Sequence, residues 1–235
     1  MSVSRSLVPV ATVVAAIVAI WYLSAVALNM AWERDQAARA GTEVAFLDRV
    51  AGTMAQERPV LPAPHQVVVE IWETTAEKKI TSKRSLVYHG WITLSATLLG
   101  FLFGTGLGML LAVGIVHSRA MDLSIMPWVI ASQTIPILAA SGSQTFWKLR
   151  WPAAAPYLFA SLKIGVAASL VGAIVGEMPT GAVAGLGARL LAGSYYGQTV
   201  QIWAALFAAA ALAAALVAVI GLAGRITLAR MGFGR

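Results

Sequence analysis

From Ile92 to Val116 the chain runs for 25 residues without a charge. As a helix rising ~1.5 Å per residue such a run reaches about 37 Å, more than a hydrocarbon core of roughly 30 Å. Only a helix closes all its backbone hydrogen bonds within one such segment, so the run predicts a membrane-spanning helix. Within it Gly100, Gly104 and Gly108 recur four residues apart. Small residues at that spacing let helix backbones approach closely in lipid, although the general enrichment of glycine in membrane helices is the plainer reading. Trp91 stands at the edge of the run as an interfacial anchor.

Four further apolar runs follow the same logic. Leu7 to Met30 has no charged residue and lies between Arg5 and the cluster Glu33, Arg34, Asp35. It exceeds the roughly 7 to 15 residues of a signal-peptide core, and AVALNMAW offers only a loose cleavage site, so an uncleaved anchor is expected. Arg5 then predicts a cytoplasmic N-terminus. Leu123 to Ala140 is shorter and contains Pro127, Gln133 and Pro136. Each proline removes a helix donor, so this segment either crosses or is re-entrant. Pro156 to Met178 carries Lys163, near enough to its start to snorkel, and Glu177 at its far end. Glu177 reads either as the cap of a following turn or as a charge at the mouth of a pathway. Ile202 to Gly224 is uncharged and is followed by Arg225, Arg230 and Arg235, which argue for a cytoplasmic C-terminus.

Composition agrees with an all-α integral membrane protein. Hydrophobic residues make up 59% of the chain and charged residues 11%, against roughly 25% charged in a soluble domain. Eight acids and eight bases balance between Trp32 and Trp91, so the formal excess of +7 lies wholly in tails, short loops and apolar segments. No basic groove with interleaved aromatics accompanies it, which argues against nucleic-acid binding. There is no cysteine, and no GKS or GKT follows a glycine run, so neither a thiolate site nor a Walker nucleotide site is present. Asp122 and Glu177 are the only acids outside 32–91, too few for a membrane enzyme with a metal or a nucleophile. His65, His89 and His117 are far apart in sequence and read as solvated histidines rather than zinc ligands.

The organisation that follows is an anchor helix over 1–30, an extramembrane region over 31–91, and a membrane domain over 92–235 with apolar segments at 92–116, 123–140, 156–178 and 202–224. In the extramembrane region the alanine-rich, charged half predicts one or two short surface helices. Pro59, Pro62 and Pro64 then stiffen a connector into another amphipathic helix. Lys78, Lys79, Lys83 and Arg84 read as a solvated face or a lipid-headgroup contact. The stretch GAVAGLGARLLAGSYYGQ reads as a partly buried re-entrant or interfacial link. Ser141 to Pro152, SGSQTFWKLRWP, is polar and basic and reads as a short surface helix closed by Pro152 ahead of a span.

From Gly90 onward the chain resembles the membrane-permease subunit of bacterial ABC importers, particularly the branch for nitrate, sulfonates, taurine, or thiamine and riboflavin precursors. That family carries a cytoplasmic loop with an EAA triplet, a glycine three residues later, and a hydrophobic residue followed two positions on by Leu-Pro. Counting back from Pro152, the Leu position is Trp151, the hydrophobic position Leu149 and the glycine position Ala139. The triplet would fall at Gln133 to Ile135 and does not match. The second half of the loop, 141–152, fits, as do AAAPYLFASLKIG, VGAIVGEM and GLGARL.

The segment MPWVIASQTIPILA resembles the opening of the third of six helices in that branch, yet ILAA runs straight into SGSQTFW. The economical inference is an internal deletion near Ala139–Ala140 that removes one crossing, giving a permease-like helical bundle with one crossing missing. Five apolar runs conflict with two cytoplasmic ends. The conflict resolves if 123–140 is re-entrant, with four crossings, which the placement of the arginines and Lys148 favours over an inverted arrangement.

The resemblance implies alternating access. Two permease subunits, here a homodimer, enclose a route; two separate ATPase subunits bind ATP and magnesium and drive it through the loop; a periplasmic binding protein hands over the solute. It implies no catalysis, cofactor or metal in this chain, and a multi-pass place in the bacterial inner membrane. Phe146, Trp147 and Leu149 would fill a groove on the ATPase, with Lys148 and Arg150 steering the contact and Trp151 and Pro152 closing it. The plainer reading makes Trp147 and Trp151 interfacial anchors. Candidate route residues are Gln133, Ser169 and Glu177. The alternative is a non-transporting membrane scaffold, or a defective permease that has lost ATPase coupling.

Overall fold

A computed structural model describes residues 4–41, 44–120, 123–124, 151–179 and 182–231. Among them the regular structure is helical and no β-strand occurs. The elements are α1 (Ser4–Ala40), α2 (Phe46–Ala55), α3 (Pro64–Trp72) with a π-helical turn at Glu73–Glu77, α4 (Leu86–His117), α5 (Trp151–Glu177), α6 (Leu186–Tyr195) and α7 (Thr199–Arg230). Four of them, α1, α4, α5 and α7, are long and apolar enough to cross a membrane. Large apolar side chains such as Val10, Ile17, Phe103, Leu110, Ile164 and Val219 are exposed along them. In a bilayer such faces meet lipid tails at no cost, so their exposure is what a spanning helix requires.

Several boundaries differ from the sequence expectation, each for a physical reason. The first helix does not stop near Met30 but continues through the charged stretch to Ala40. Its alanine-rich residues favour helix, and nothing breaks it before Gly41, whose φ of +62° ends it. Among the described residues one further helix, α2, follows in that half, within the one or two expected. α4 begins at Leu86, ahead of Trp91, so His89 and Gly90 are helical. Pro152 lies in the first turn of α5, a position that needs no N–H, and the stretch before it, 141–150, lies outside the described residues. The glycine-rich link contains a helix of its own, α6.

The chain divides into two compact units. The first comprises Met1–Thr93 and Ile174–Ala210. Its anchor is Asn29 on α1, wholly buried. The Asn29 amide Nδ2 donates to the Leu61 carbonyl at 2.9 Å, and its Oδ1 accepts the Val60 N–H at 2.8 Å. One turn on, Glu33 accepts a 2.6 Å bond from Gln56. Trp21 donates to the Pro62 carbonyl at 2.9 Å and packs on Trp203, with ring centroids 5.0 Å apart, and on Phe207. Thr199 donates to the Pro59 carbonyl. The proline connector is thus held by side chains from α1 and α7 that satisfy carbonyls no helix or sheet claims. As expected, it leads into a helix, α3, with Pro64 in its first turn and Gln66 accepting the Ala63 N–H at 2.9 Å.

The second unit comprises Leu94–Ala173 and Ala211–Arg235. Ser169 on α5 donates to the Thr97 carbonyl on α4 at 2.8 Å, and a Cβ added at Gly165 would meet the Phe101 ring at 3.3 Å. Position advances along α4 as it falls along α5, so the two run antiparallel. Lys163 lies against Gly221 and Phe159 against Gly224 in the same sense, so α5 and α7 are antiparallel there too. The segment 123–140 lies outside the described residues except for positions 123 and 124, as does the Ala139–Ala140 junction.

Candidate functional site

The polar chemistry of the first unit gathers where α4 begins, α5 ends and α6 begins. A helix start leaves backbone N–H groups without partners. Those of α6 are met by side chains from two other helices. The Glu177 carboxylate, 8% exposed at the end of α5, accepts the Gly187 N–H at 2.7 Å through Oε2 and the Thr93 hydroxyl at 2.8 Å through Oε1. The same Thr93 oxygen accepts the Leu186 N–H at 2.8 Å. Nδ1 of His89 accepts the Gly185 N–H at 2.9 Å, so Nε2 is the atom that donates to the Lys83 carbonyl at 2.9 Å. Three successive amides are satisfied without a capping side chain of their own, and a carboxylate sits at the positive end of a helix.

That arrangement dictates glycine at two positions. Gly185 has φ of +130°, a conformation that other residues avoid, and a Cβ there would collide with the Glu177 carboxylate. A Cβ at Gly187 would collide with the Ile174 carbonyl of α5. The GLG sequence is therefore what lets α6 start against α5.

Beyond the clamp, α6 presents Arg189, only 7% exposed. Its guanidinium donates to the Arg84 carbonyl at 2.8 Å and to Glu70 of α3 at 3.0 Å. Burial holds this guanidinium below its ordinary value, and the Glu70 carboxylate beside it opposes that shift. Its Nε is buried and has no hydrogen-bond acceptor among the described residues. Arg189 forms part of the wall of a cavity of about 800 Å³, together with Glu73, Thr74, Lys78, Lys83, Arg84 and His89. A smaller cavity of about 390 Å³ shares Glu70 and Glu73 and is lined also by Gln56, Arg58 and Gln66.

The expected site residues fall in several places. Phe146, Trp147, Lys148, Leu149, Arg150 and Gln133 lie outside the described residues. Trp151 and Pro152 open α5. Ser169 and Glu177 both lie on α5, Ser169 bonded to Thr97 in the second unit and Glu177 in the clamp of the first. Of the three glycines expected to pack on α4, Gly100 faces Ser169, whose hydroxyl would stand 3.1 Å from an added Cβ, while Gly104 and Gly108 have nothing within 4 Å. His89 is not solvated as the sequence suggested. It is buried, because its ring serves the start of α6. Lys78, Lys79, Lys83 and Arg84 are exposed as expected.

Glu70 and Arg189 were not singled out by the sequence, although each is a lone charge in an apolar setting, VVVEIW and GARLL, which calls for a partner. Among the described residues no cluster of three or more histidine, aspartate or glutamate side chains is arranged to hold a metal.

Comparison with known proteins adds one positive finding. No curated protein and no solved structure matches the chain. Residues 137–232, less than half of the 235, match the family model of the binding-protein-dependent transport system inner membrane component, a span that takes in α5, α6 and α7.

Proposed function

We propose that this chain is a permease subunit of an ATP-driven importer, which passes a small solute received from a binding protein across the bacterial inner membrane. The observation that carries this reading is the family match over 137–232, which contains the whole 141–152 loop and the helices after it. Four helices suited to crossing a membrane support it. The match begins at residue 137, so for 90–136 the resemblance rests on the sequence reading alone.

The antiparallel pairing of α4 and α5 supports the four-crossing arrangement. His117 ends α4 and Trp151 starts α5, so in an antiparallel pair both lie towards the same membrane face. Arg225 and Arg230, at the end of α7, lie towards that same face, and on this reading the loop carrying Lys148 and Arg150, just ahead of Trp151, belongs to it as well. With Arg5 inside, that side is the cytoplasm, where an ATPase subunit would dock. Phe146, Trp147 and Leu149 would supply the apolar contact and Lys148 and Arg150 its charge. ATP and magnesium belong to the ATPase.

Co-purification tests this. The chain expressed with a candidate ABC ATPase subunit from the same genome should be recovered as a complex whose ATP hydrolysis is stimulated. Trp147→Ala and Leu149→Ala should lower both recovery and stimulation. Unchanged recovery and unchanged stimulation would remove those residues from the docking role. Failure of any ATPase to associate with the unaltered chain would favour a scaffold that has lost coupling.

A further inference from the structure

Lys78, Lys83, Arg84 and Arg189 face one cavity of the first unit, with Glu70 and Glu73 the only carboxylates set against them among the described residues. We propose that this cavity binds a small free solute through an oxyanion group, a carboxylate, sulfonate or phosphate. The proposal goes beyond the permease reading, because it assigns solute recognition to this chain's own side chains and needs no ATPase.

Charge, burial, backbone and size each contribute. Four cations and two carboxylates leave two positive charges in surplus, and one of the carboxylates is committed to Arg189. Arg189 is 7% exposed and pinned by Glu70 and the Arg84 carbonyl, so its charge is fixed in the wall rather than free to swing into water. Burial of the guanidinium favours a nearby negative charge, which Glu70 supplies in part and an anion in the adjoining cavity would add to. Lys78, Lys83 and Arg84 are exposed and supply the direct donors, with the planar fork of Arg84 suited to two parallel bonds to an oxyanion.

The wall also contains the π-helical turn at Glu73–Glu77, which contributes Glu73 and Thr74. Turns of that kind are rare and concentrate at functional sites. At about 800 Å³ the cavity falls within the range of small-molecule sites, roughly 300 to 1,000 Å³.

A lipid phosphate carries the same chemistry, and the test separates the two sources. Because the chain has no cysteine, Val183→Cys, on the cavity wall and 79% exposed, takes a single environment-sensitive fluorophore. The labelled full chain in phosphatidylcholine nanodiscs is titrated with acetate, methanesulfonate and inorganic phosphate against chloride at constant ionic strength. At least one should give a saturable response, and tetramethylammonium none. Lys83→Gln with Arg84→Gln should weaken it about tenfold through loss of charge-assisted bonds, and Arg39→Gln, exposed on α1, should leave it unchanged.

The unfolding midpoint is read on the same samples. Should the double variant unfold early, Lys78→Gln carries the comparison, with a smaller weakening expected. No saturable response to any of the three anions, or one indifferent to these substitutions, would overturn the proposal. Loss of the response in phosphatidylglycerol nanodiscs would overturn it in favour of a lipid headgroup. ATPase association is read separately, so either reading can fail without the other.

Discussion

The carboxylate of Glu177 holds the backbone N–H of Gly187 at 2.7 Å, so the last residue of one membrane-crossing helix caps the first turn of the short helix that follows it. Replacing Glu177 by Gln retains one acceptor oxygen for two donors and leaves a buried N–H or hydroxyl unmet. Thermal unfolding of the purified chain should show a loss of about 1–3 kcal/mol, with Glu177→Ala worse than Glu177→Gln. An unchanged midpoint for both would deny the clamp any structural weight.

Glycine substitutions should separate sharply by position. Gly187→Ala drives a methyl into the Ile174 carbonyl, and Gly185→Ala adds a strained φ to a collision with Glu177. Each should cost about 2–3 kcal/mol or prevent folding. On α4, Gly104→Ala and Gly108→Ala meet open space and should leave stability level or raise it by about 0.5–1 kcal/mol, since alanine is the better helix former. Fluorescence-detected size exclusion after heating ranks all four.

Arg189 and Glu70 form a partly buried pair, 7% and 20% exposed at the side chain. Breaking it from one side leaves the other charge unpaired, so Glu70→Gln or Arg189→Gln should each destabilise by about 2–4 kcal/mol. Replacing both with methionine should cost less than the sum. A double-mutant cycle that came out additive would show that the pair does not couple.

Accessibility labelling tests the topology. Single cysteines at Ser143 and Arg235 should react only from the cytoplasmic side, and one at Val183 only from the opposite side. Labelling of Ser143→Cys from outside would rule out the four-crossing arrangement.

The long helices were legible because hydrophobicity over about 20 residues is a local property that a bilayer reads directly. Ile92 to Val116 and Ile202 to Gly224 announced themselves in that way. Their ends were less legible. Residues 31–40 are charged, and charge alone does not show that a helix continues into water. The clamp was least legible, since Thr93 and Glu177 are separated by 84 positions and His89 and Gly185 by 96. A single histidine beside a tyrosine and a glycine shows nothing of the amide it will accept. Glu177 was noticed as a charge at a helix end, but its partner Gly187 is defined by missing bulk, which no polar pattern marks.

The unbroken passage of α1 from lipid into water makes it a ruler as well as an anchor. Asn29 and Glu33 lie one turn apart on one face of that helix, and both grip the segment that includes α2 and the proline connector. The extramembrane residues are therefore set at a fixed height and a fixed rotation about the anchor. One residue inserted between Met30 and Trp32 would turn Glu33 by about 100° away from Gln56 while Asn29 stayed in place. Changes in length there should prove far less tolerable than changes in side chain, because what the helix transmits across the membrane boundary is phase.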